Sequence, residues 1–219
     1  MKKVYVLILI GIGIIAGCST GQDKSVKEHI LNDLNTKYNN AKKFFGKAMV
    51  SHFPLKLDSS NITFTENYSP DLGNLELIVI NRTEKSQLMS IISEFKDKAI
   101  GYYSAGDSCL LVVNRFATCD NYYKAKPSEE ELHLINRDCY SNKLPVPNFW
   151  HNEFTTETTS CSLPGDFTIY VIEADAGEYF DKKYLTKGDF MPSEWKNGYS
   201  KGIALSEKKQ VIIFWLIIW

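Results

Sequence analysis

Residues 198–202 (Gly-Tyr-Ser-Lys-Gly) match the G-x-S-x-G pattern, in which a serine on a sharp strand-to-helix turn attacks a carbonyl carbon. That chemistry needs an acid and then a histidine later in the chain. Glu207 is the sole acid after Ser200, and the last histidine is His151. We therefore expect no serine nucleophile here. The two glycines are expected to serve turn geometry.

The four histidines are His29, His52, His133 and His151. The last two lie near Cys139 and Cys161 in sequence, and a Cys–His pair is a composition used for nucleophilic catalysis. Oxidation of those thiols would remove the nucleophile, so this reading is not favoured. His52 precedes Phe53-Pro54 and is expected to order the loop around it.

The amino terminus combines a positive start with a short apolar stretch. Met1-Lys2-Lys3 is followed by 14 uncharged residues, 4–17. A helix of that length rises about 21 Å, which is short of the roughly 30 Å hydrocarbon core. The stretch ends in Ile15-Ala16-Gly17-Cys18 and resembles the lipobox of bacterial lipoproteins.

The lipobox resemblance implies export and attachment to a membrane by lipid. Residues 1–17 would be a signal peptide, Cys18 would carry the lipid, and residues 18–24 would form a tether. Ser19 stands where enterobacterial lipoproteins retained in the inner membrane have Asp, so the resemblance favours the outer membrane, with the domain facing the periplasm. The expected partner is a membrane, reached through the lipid.

With Cys18 assigned to lipid, an even number of cysteines remains. They are Cys109, Cys119, Cys139 and Cys161. In an oxidising compartment this predicts two disulfides, with three possible pairings. A zinc site is disfavoured because the shortest interval is ten residues, whereas zinc ligands come in close pairs such as C-x-x-C. Free buried thiols are the third alternative.

Charge excludes one class of partner. Removing Lys2 and Lys3 from 25 basic residues leaves 23 against 26 acidic ones, a formal net charge of −3. This balance argues against nucleic acid as a partner. We expect no metal and no cofactor, since the sequence contains no H-E-x-x-H and no phosphate-binding loop.

Two further groups of side chains could contribute to a site. Trp150, His151 and Trp195 could form an aromatic binding surface, with packing under a long loop as the alternative. Glu173, Asp175 and Glu178 follow a strand, where solvated turn acids are the common outcome.

The elements that position these residues follow from hydrophobic periodicity. Apolar residues at spacings of three or four predict an amphipathic helix over residues 25–45 and a second over 84–99. Alternation or apolar runs predict strands at residues 62–66, 75–80, 100–103 and 167–173. Residues 109–116 are expected to pair with 100–103.

The end of the chain predicts a hairpin. Its second strand, residues 211–219, is apolar on both faces and is expected in the middle of a covered sheet. Residues 117–165 lack a sustained period apart from a short helix starting at Ser128 with Glu131 as a capping box. We expect this excursion to be ordered by disulfides and to carry a binding function.

Together these observations predict one α+β domain over residues 25–219: an N-terminal amphipathic helix and a second helix packed on a largely antiparallel sheet ending in the C-terminal strand. The expected function is a non-enzymatic binding or structural role in a membrane-anchored envelope lipoprotein, its protein or small-molecule ligand unassigned. Two alternatives stay open: a strand-donating assembly subunit acting through residues 211–219, and a hydrolase whose site is not visible as a motif.

Overall fold

The computed structural model describes residues 22–58, 62–69, 73–118, 120–121, 126–150, 152–185 and 190–219. Within these ranges, two α-helices and eight strands follow in chain order. They are α1 (Gln22–Phe45), β1 (Ile62–Asn67), β2 (Leu75–Arg82), α2 (Lys85–Lys96), β3 (Gly101–Ser104), β4 (Val112–Val113), β5 (Val146–Pro147), β6 (Thr168–Ala176), β7 (Gly198–Ser206) and β8 (Val211–Ile218). Short 3-10 helices occur at Glu129–Leu134, Asp138–Tyr140, Lys182–Tyr184 and Ser193–Trp195.

Six strands form one antiparallel sheet in the order β1-β2-β8-β7-β6-β3. The α+β prediction is confirmed. Strand β8 lies between β2 and β7 and pairs with both along its length. The position predicted for it is therefore confirmed: a strand that is apolar on both faces is stable only where both faces are covered.

One face of the sheet, the helix-covered face, packs against α1, α2 and the loop between α1 and β1. Helix α1 contributes Tyr38, Ala41 and Phe45 to this core, and α2 contributes Leu88 and Phe95. These residues belong to the apolar stripes predicted from the sequence. Helix α1 begins at Gln22, three residues before the predicted start at Ser25.

The opposite face, the loop-covered face, packs against described residues between positions 105 and 167. The buried members include Leu110, Tyr140, Phe149 and Leu163. Described residues of the excursion at 117–165, together with residues 105–113, thus form a third layer over this face of the sheet. The apolar side chains of this layer serve packing, because the apolar face of the sheet that the helices do not cover must also be shielded from water.

One predicted strand pairing is wrong. Strand β3 pairs with β6, while Val112–Val113 pairs in parallel with Val146–Pro147. The apolar run at 110–113 is buried on every residue, so it covers the sheet instead of extending it. A short apolar run that is buried on all sides has no hydrophobic period, so its sequence does not distinguish a strand within the sheet from a segment that covers it.

Glycines in β7 shape the loop-covered face. A Cβ atom on Gly202 would meet Trp215 Cζ2 at 2.7 Å, and one on Gly198 would meet Trp219 Cζ2 at 3.0 Å. Tyr170 O and Asp175 O lie nearer still to the two Cβ positions, so the glycines make room for the backbone of β6 as well as for two buried indole rings. The expectation that they serve turn geometry is corrected, since both lie within the strand.

Candidate functional site

The loop between α1 and β1, residues 46–58 and named here the His52 loop, is held to α1 by side-chain hydrogen bonds. Asn35 Nδ2 donates to Leu57 O and Asn35 Oδ1 accepts from Leu57 N, both at 2.8 Å. Tyr38 OH donates to Pro54 O at 2.7 Å. A loop with its backbone groups paired in this way is ordered before any ligand arrives, which lowers the entropic cost of binding.

A buried lysine on β7 holds the same loop from the side of the sheet. Lys201 Nζ donates to Ala48 O at 3.0 Å and lies 2.6 Å from Glu173 Oε2. Tyr199 OH donates to the other carboxylate oxygen of Glu173. Burial opposes ionisation of Glu173, but the hydrogen bonds from Lys201 and Tyr199 outweigh it and lower its pKa. The charge of the buried Lys201 is thereby compensated by a carboxylate that is half exposed.

The acids expected as solvated turn residues have specific partners. Besides Glu173, Asp175 accepts a hydrogen bond from Tyr179 OH, and the Tyr179 ring packs edge-on against Tyr199 with centroids 4.5 Å apart. Glu178 lies 3.2 Å from Lys182 on the surface. The first two acids therefore continue the polar network around Lys201.

His52 itself points one ring nitrogen at the sheet. Its Nε2 lies 3.0 Å from Trp215 O. A carbonyl oxygen can only accept, so Nε2 carries the proton and Nδ1 presents a lone pair. Nδ1 is buried and has no hydrogen-bond partner among the described atoms. Burial is the largest influence on the ring and lowers its pKa to about 4, so His52 is neutral at physiological pH.

A groove of about 400 Å³ opens between the His52 loop and α2, over the helix-covered face of the sheet. His52 lines it. The apolar floor comprises Phe53, Ile62, Ile91, Phe95, Ile172 and Phe214. The polar lining comprises Ser51, Lys56, Asp58, Asn81, Gln87, Glu94 and Lys98. Polar side chains are thus at least as numerous in the lining as apolar ones, and two lysines and two carboxylates are among them.

The β-bulge in β6 shapes this groove. The register with β7 shifts between Val171 and Glu173, so Ile172 is the additional residue. Ile172 lines the groove, while Glu173 faces Lys201. Bulges commonly re-aim side chains beside functional sites.

Ser200, the serine of the G-x-S-x-G pattern, lies inside β7 and is fully buried. Its Oγ donates to Pro145 O at 2.6 Å. The tight turn that a nucleophilic serine needs is not present at this position, since the residues on both sides belong to the strand.

Two residues of the predicted aromatic surface, Trp150 and Trp195, lie within the described residues. Trp195 packs against Trp219 with ring centroids 6.2 Å apart, and Trp195 O accepts from Trp219 Nε1 at 2.8 Å. Trp150 is half-buried, and its carbonyl accepts from Thr155 Oγ1 at 2.9 Å. His151 lies outside the described residues. Trp195 thus serves the packing of the C-terminal strand.

Of the two predicted disulfides, one is observed among the described residues: Cys109–Cys139, which joins residues 30 apart. The expectation of a second bridge that includes Cys161 is wrong. Cys161 is a free thiol, fully buried in the core, with Sγ 3.7 Å from Ala105 O. Cys119 and Cys18 lie outside the described residues. Within the described ranges, no three His, Cys, Asp or Glu side chains are grouped to hold a metal ion.

The polar network around His52 and Lys201 was not found by sequence motifs. Its members come from a loop and two strands that are far apart in the chain. One signal was present: Lys201 is a charge in the middle of an otherwise buried strand, and a buried lysine needs a partner.

No protein-family model matches the chain, and neither a curated protein nor a solved structure matches it. Among the described residues, no helix is long and apolar enough to cross a membrane.

Proposed function

We propose that this chain is a lipid-anchored, non-enzymatic protein of the bacterial cell envelope whose domain binds a small molecule in the groove beside His52. The observation that carries the binding function is a groove of ligand size whose loop wall is hydrogen-bonded in place from both α1 and β7. The lipobox-like sequence before Cys18 supports the anchor. The proposed location is the periplasmic face of the outer membrane.

A non-enzymatic role is supported by what the polar side chains do. Ser200 is committed to Pro145 O, and Lys201 is committed to Ala48 O and Glu173. Since a catalytic nucleophile must reach its substrate, neither group is placed for attack on a ligand in the groove. Binding needs only the shape and the polar lining that the groove already has.

The anchor is tested by metabolic labelling of the full chain with an alkyne fatty acid in a bacterial host. We expect label on the wild type and none on Cys18→Ser, which should also keep its signal peptide. Cys161→Ala is the matched control and should keep the label. Equal labelling of Cys18→Ser and wild type would overturn the anchor.

The groove is tested with a filling substitution. Ile91 lies on α2 and lines the groove, whereas Met89 lies on the same helix, is exposed and does not line it. We expect ligand-observed NMR with a mixed collection of small metabolites to find compounds that bind the wild type and Met89→Trp but not Ile91→Trp. Binding that Ile91→Trp leaves unchanged would contradict the proposal.

The strand-donation alternative stays a prediction, with less support. Residues 211–218 already pair with β2 on one side and β7 on the other. The apolar character that motivated the alternative is thus used within the chain's own sheet. Size-exclusion chromatography of residues 19–219 tests it: a monomer contradicts donation, and a concentration-dependent polymer would revive it.

A further inference from the structure

The proposed lipid is joined to the domain through helix α1, which packs on the helix-covered face. Helix α1 begins at Gln22, so three residues separate it from Cys18. This stretch of chain spans at most about 14 Å, since each residue extends the chain by at most about 3.6 Å. A lipid on Cys18 would therefore hold the start of α1 close to the bilayer surface. The orientation of the domain then depends on which of its surfaces meets the lipids.

The His52 loop presents a leucine to solvent. Leu55 is 89% exposed, more than any other large apolar residue in the described part of the chain. The loop is held in place at this point, because Lys42 Nζ donates to Leu55 O at 3.2 Å, and both Lys42 Nζ and Tyr38 OH donate to Pro54 O. An ordered loop that keeps a leucine in water indicates a contact surface that buries this side chain.

Other exposed apolar side chains occur on the same side of the sheet. Seven large apolar residues are exposed in the described ranges, and five of them belong to the helix-covered layer or its edge: Ile30, Leu55, Met89, Ile100 and Tyr102. Ile30 continues the apolar stripe of α1 and is 44% exposed. Tyr102 packs edge-on against Tyr170 of the helix-covered core, with centroids 5.2 Å apart. Single exposed residues are common, but several on one layer mark an interaction surface.

The two faces of the domain also differ in charge. The helix-covered layer, residues 22–58 and 84–100, contains ten lysines and seven acids. Residues 105–166, whose described members cover the other face, contain nine acids and five basic residues. An anionic phospholipid surface attracts the first set and repels the second. Lys43 on α1 and Lys56, next to Leu55, are exposed members of the basic set.

We propose that the helix-covered layer docks on the surface of an anionic phospholipid bilayer, with Leu55 inserted among the headgroups and the lysines of the layer beside the lipid phosphates. Exposed apolar and basic side chains on one surface are the combination that binds such an interface. A weak contact suffices, because the anchor keeps the bilayer at a high effective concentration.

This inference rests on the proposed lipid anchor, which supplies the bilayer, and goes beyond it by assigning the surface that faces the membrane. The groove opens in the same layer, between the His52 loop and α2. Docking would therefore place the entrance of the groove at the interface between membrane and water.

The experiment uses the lipidated mature chain in nanodiscs of phosphatidylethanolamine and phosphatidylglycerol that contain a nitroxide-labelled lipid. Leucine and isoleucine methyl groups carry ¹³C, and broadening of their NMR signals by the nitroxide reports how close they lie to the bilayer. We expect the Leu55 and Ile30 signals to be lost and the Leu132 signal to keep most of its intensity. Leu132 is the matched control, because it is an exposed leucine of the excursion.

Charge reversal tests the lysines of the layer. Lys43→Glu combined with Lys56→Glu should restore most of the Leu55 signal, because the surface then repels anionic lipid. Lys126→Glu combined with Lys208→Glu changes the net charge equally at exposed positions outside the layer and should leave Leu55 broadened. Nanodiscs of phosphatidylcholine alone should also restore the signal. Equal broadening of Leu55 in the two double variants would overturn the docking surface.

The remaining outcomes separate the docking from the anchor. Equal broadening of Leu55 and Leu132 in the wild type, or stronger broadening of Leu132, overturns the docking and leaves the anchor standing. Failure of the mature chain to stay with the nanodiscs overturns the anchor, and the docking with it. A second copy as the occupant is detected with residues 19–219 made without lipid: a dimer in which Leu55 is shielded from a water-soluble paramagnetic agent overturns the assignment to lipid.

Discussion

Lys201 Nζ lies 2.6 Å from Glu173 Oε2, and the two side chains differ in exposure: that of Lys201 is 5% exposed and that of Glu173 is 50% exposed. The buried partner depends on the pair more than the exposed one does. A carboxylate that is half in water can be solvated when its partner is removed, whereas a buried ammonium cannot.

We expect an asymmetric response when either partner is removed. Glu173→Ala should lower the free energy of unfolding by about 1–3 kcal/mol, because Lys201 then stays buried without its counter-charge. Lys201→Met, which keeps most of the buried stem, should cost less than about 1 kcal/mol. Urea denaturation measures both changes.

The exposed pair Asp33–Lys37, 3.0 Å apart on α1, is the control for this asymmetry. Asp33→Ala should change stability by about 0.5 kcal/mol or less, since exposed pairs contribute little. A larger cost for Lys201→Met than for Glu173→Ala would contradict our interpretation of the pair.

Stability should depend on pH through His52. Its pKa is about 4 in the folded protein and 6.5 when unfolded, so between these values the unfolded chain binds more protons. The free energy of unfolding therefore falls as the pH drops through this window, by about 1 kcal/mol between pH 7.5 and pH 5.5. Urea denaturation across this range measures the slope.

His52→Gln should flatten this slope. Carboxylates with lowered pKa values, such as Glu173, begin to lose their stabilising contribution only at lower pH, near the ordinary pKa of 4.5. The range from pH 6.5 to 5.5 is thus dominated by histidine. An unchanged slope in His52→Gln would show that another group is responsible.

The bridge between Cys109 and Cys139 should stabilise the layer on the loop-covered face. Its loop of 30 residues predicts a loss of about 3–4 kcal/mol on replacing both cysteines by serine, because the unfolded chain regains conformational freedom. Ion pairing supports the same region, since Lys143 Nζ lies 3.0 Å from Asp107 Oδ2. Thermal and urea denaturation with and without reductant measure the effect.

Cys161 provides the contrast to the bridge. As a buried free thiol it should resist alkylation in the folded protein and react after denaturation, and burial raises its thiol pKa. Cys161→Ala should cost about 1 kcal/mol through a small cavity. Protection of Cys161 by a disulfide, detected as failure to alkylate after denaturation without reductant, would be the contrary result.

The glycines of β7 should not tolerate a side chain. A Cβ on Gly202 would clash with Tyr170 O and Trp215 Cζ2, so Gly202→Ala should destabilise the fold by at least about 3 kcal/mol. Gly106→Ala is the control, because the nearest atom to its Cβ would be Ser104 Oγ at 3.5 Å. Comparable stability of the two variants, measured by urea denaturation, would disprove the role of Gly202 as space for the β6 backbone and the Trp215 ring.

Local patterns predicted several elements well. The two faces expected for residues 211–219 are those observed, with Trp215 on the loop-covered face and Phe214 on the helix-covered face. The capping contact predicted at Ser128 is present, since Ser128 N donates to Glu131 Oε2 at 2.9 Å. Such features depend on residues two to four apart, whose geometry the backbone alone determines.

Cysteine pairing and the placement of residues 109–116 were not predictable in this way. Three pairings were open for the cysteines, and the choice depended on where the excursion folds back on the sheet. Cys161 lies buried in the core, whereas Cys139 is bonded to Cys109 near the surface. Both results follow from how the long loop covers an apolar face, and no local period encodes that path.

By itself, the sequence determined the fold class, the helical stripes and the central position of the last strand, because the period of apolar residues and the length of apolar runs dictate which faces must be buried. Only the tertiary structure brought Lys201, Glu173 and His52 together. The bulge after Val171 sets which side chain of β6 meets Lys201, and packing of the His52 loop on α1 sets where the imidazole lies. Contacts between residues more than a hundred positions apart depend on strand register and loop path, which are decided by the energy of the whole core.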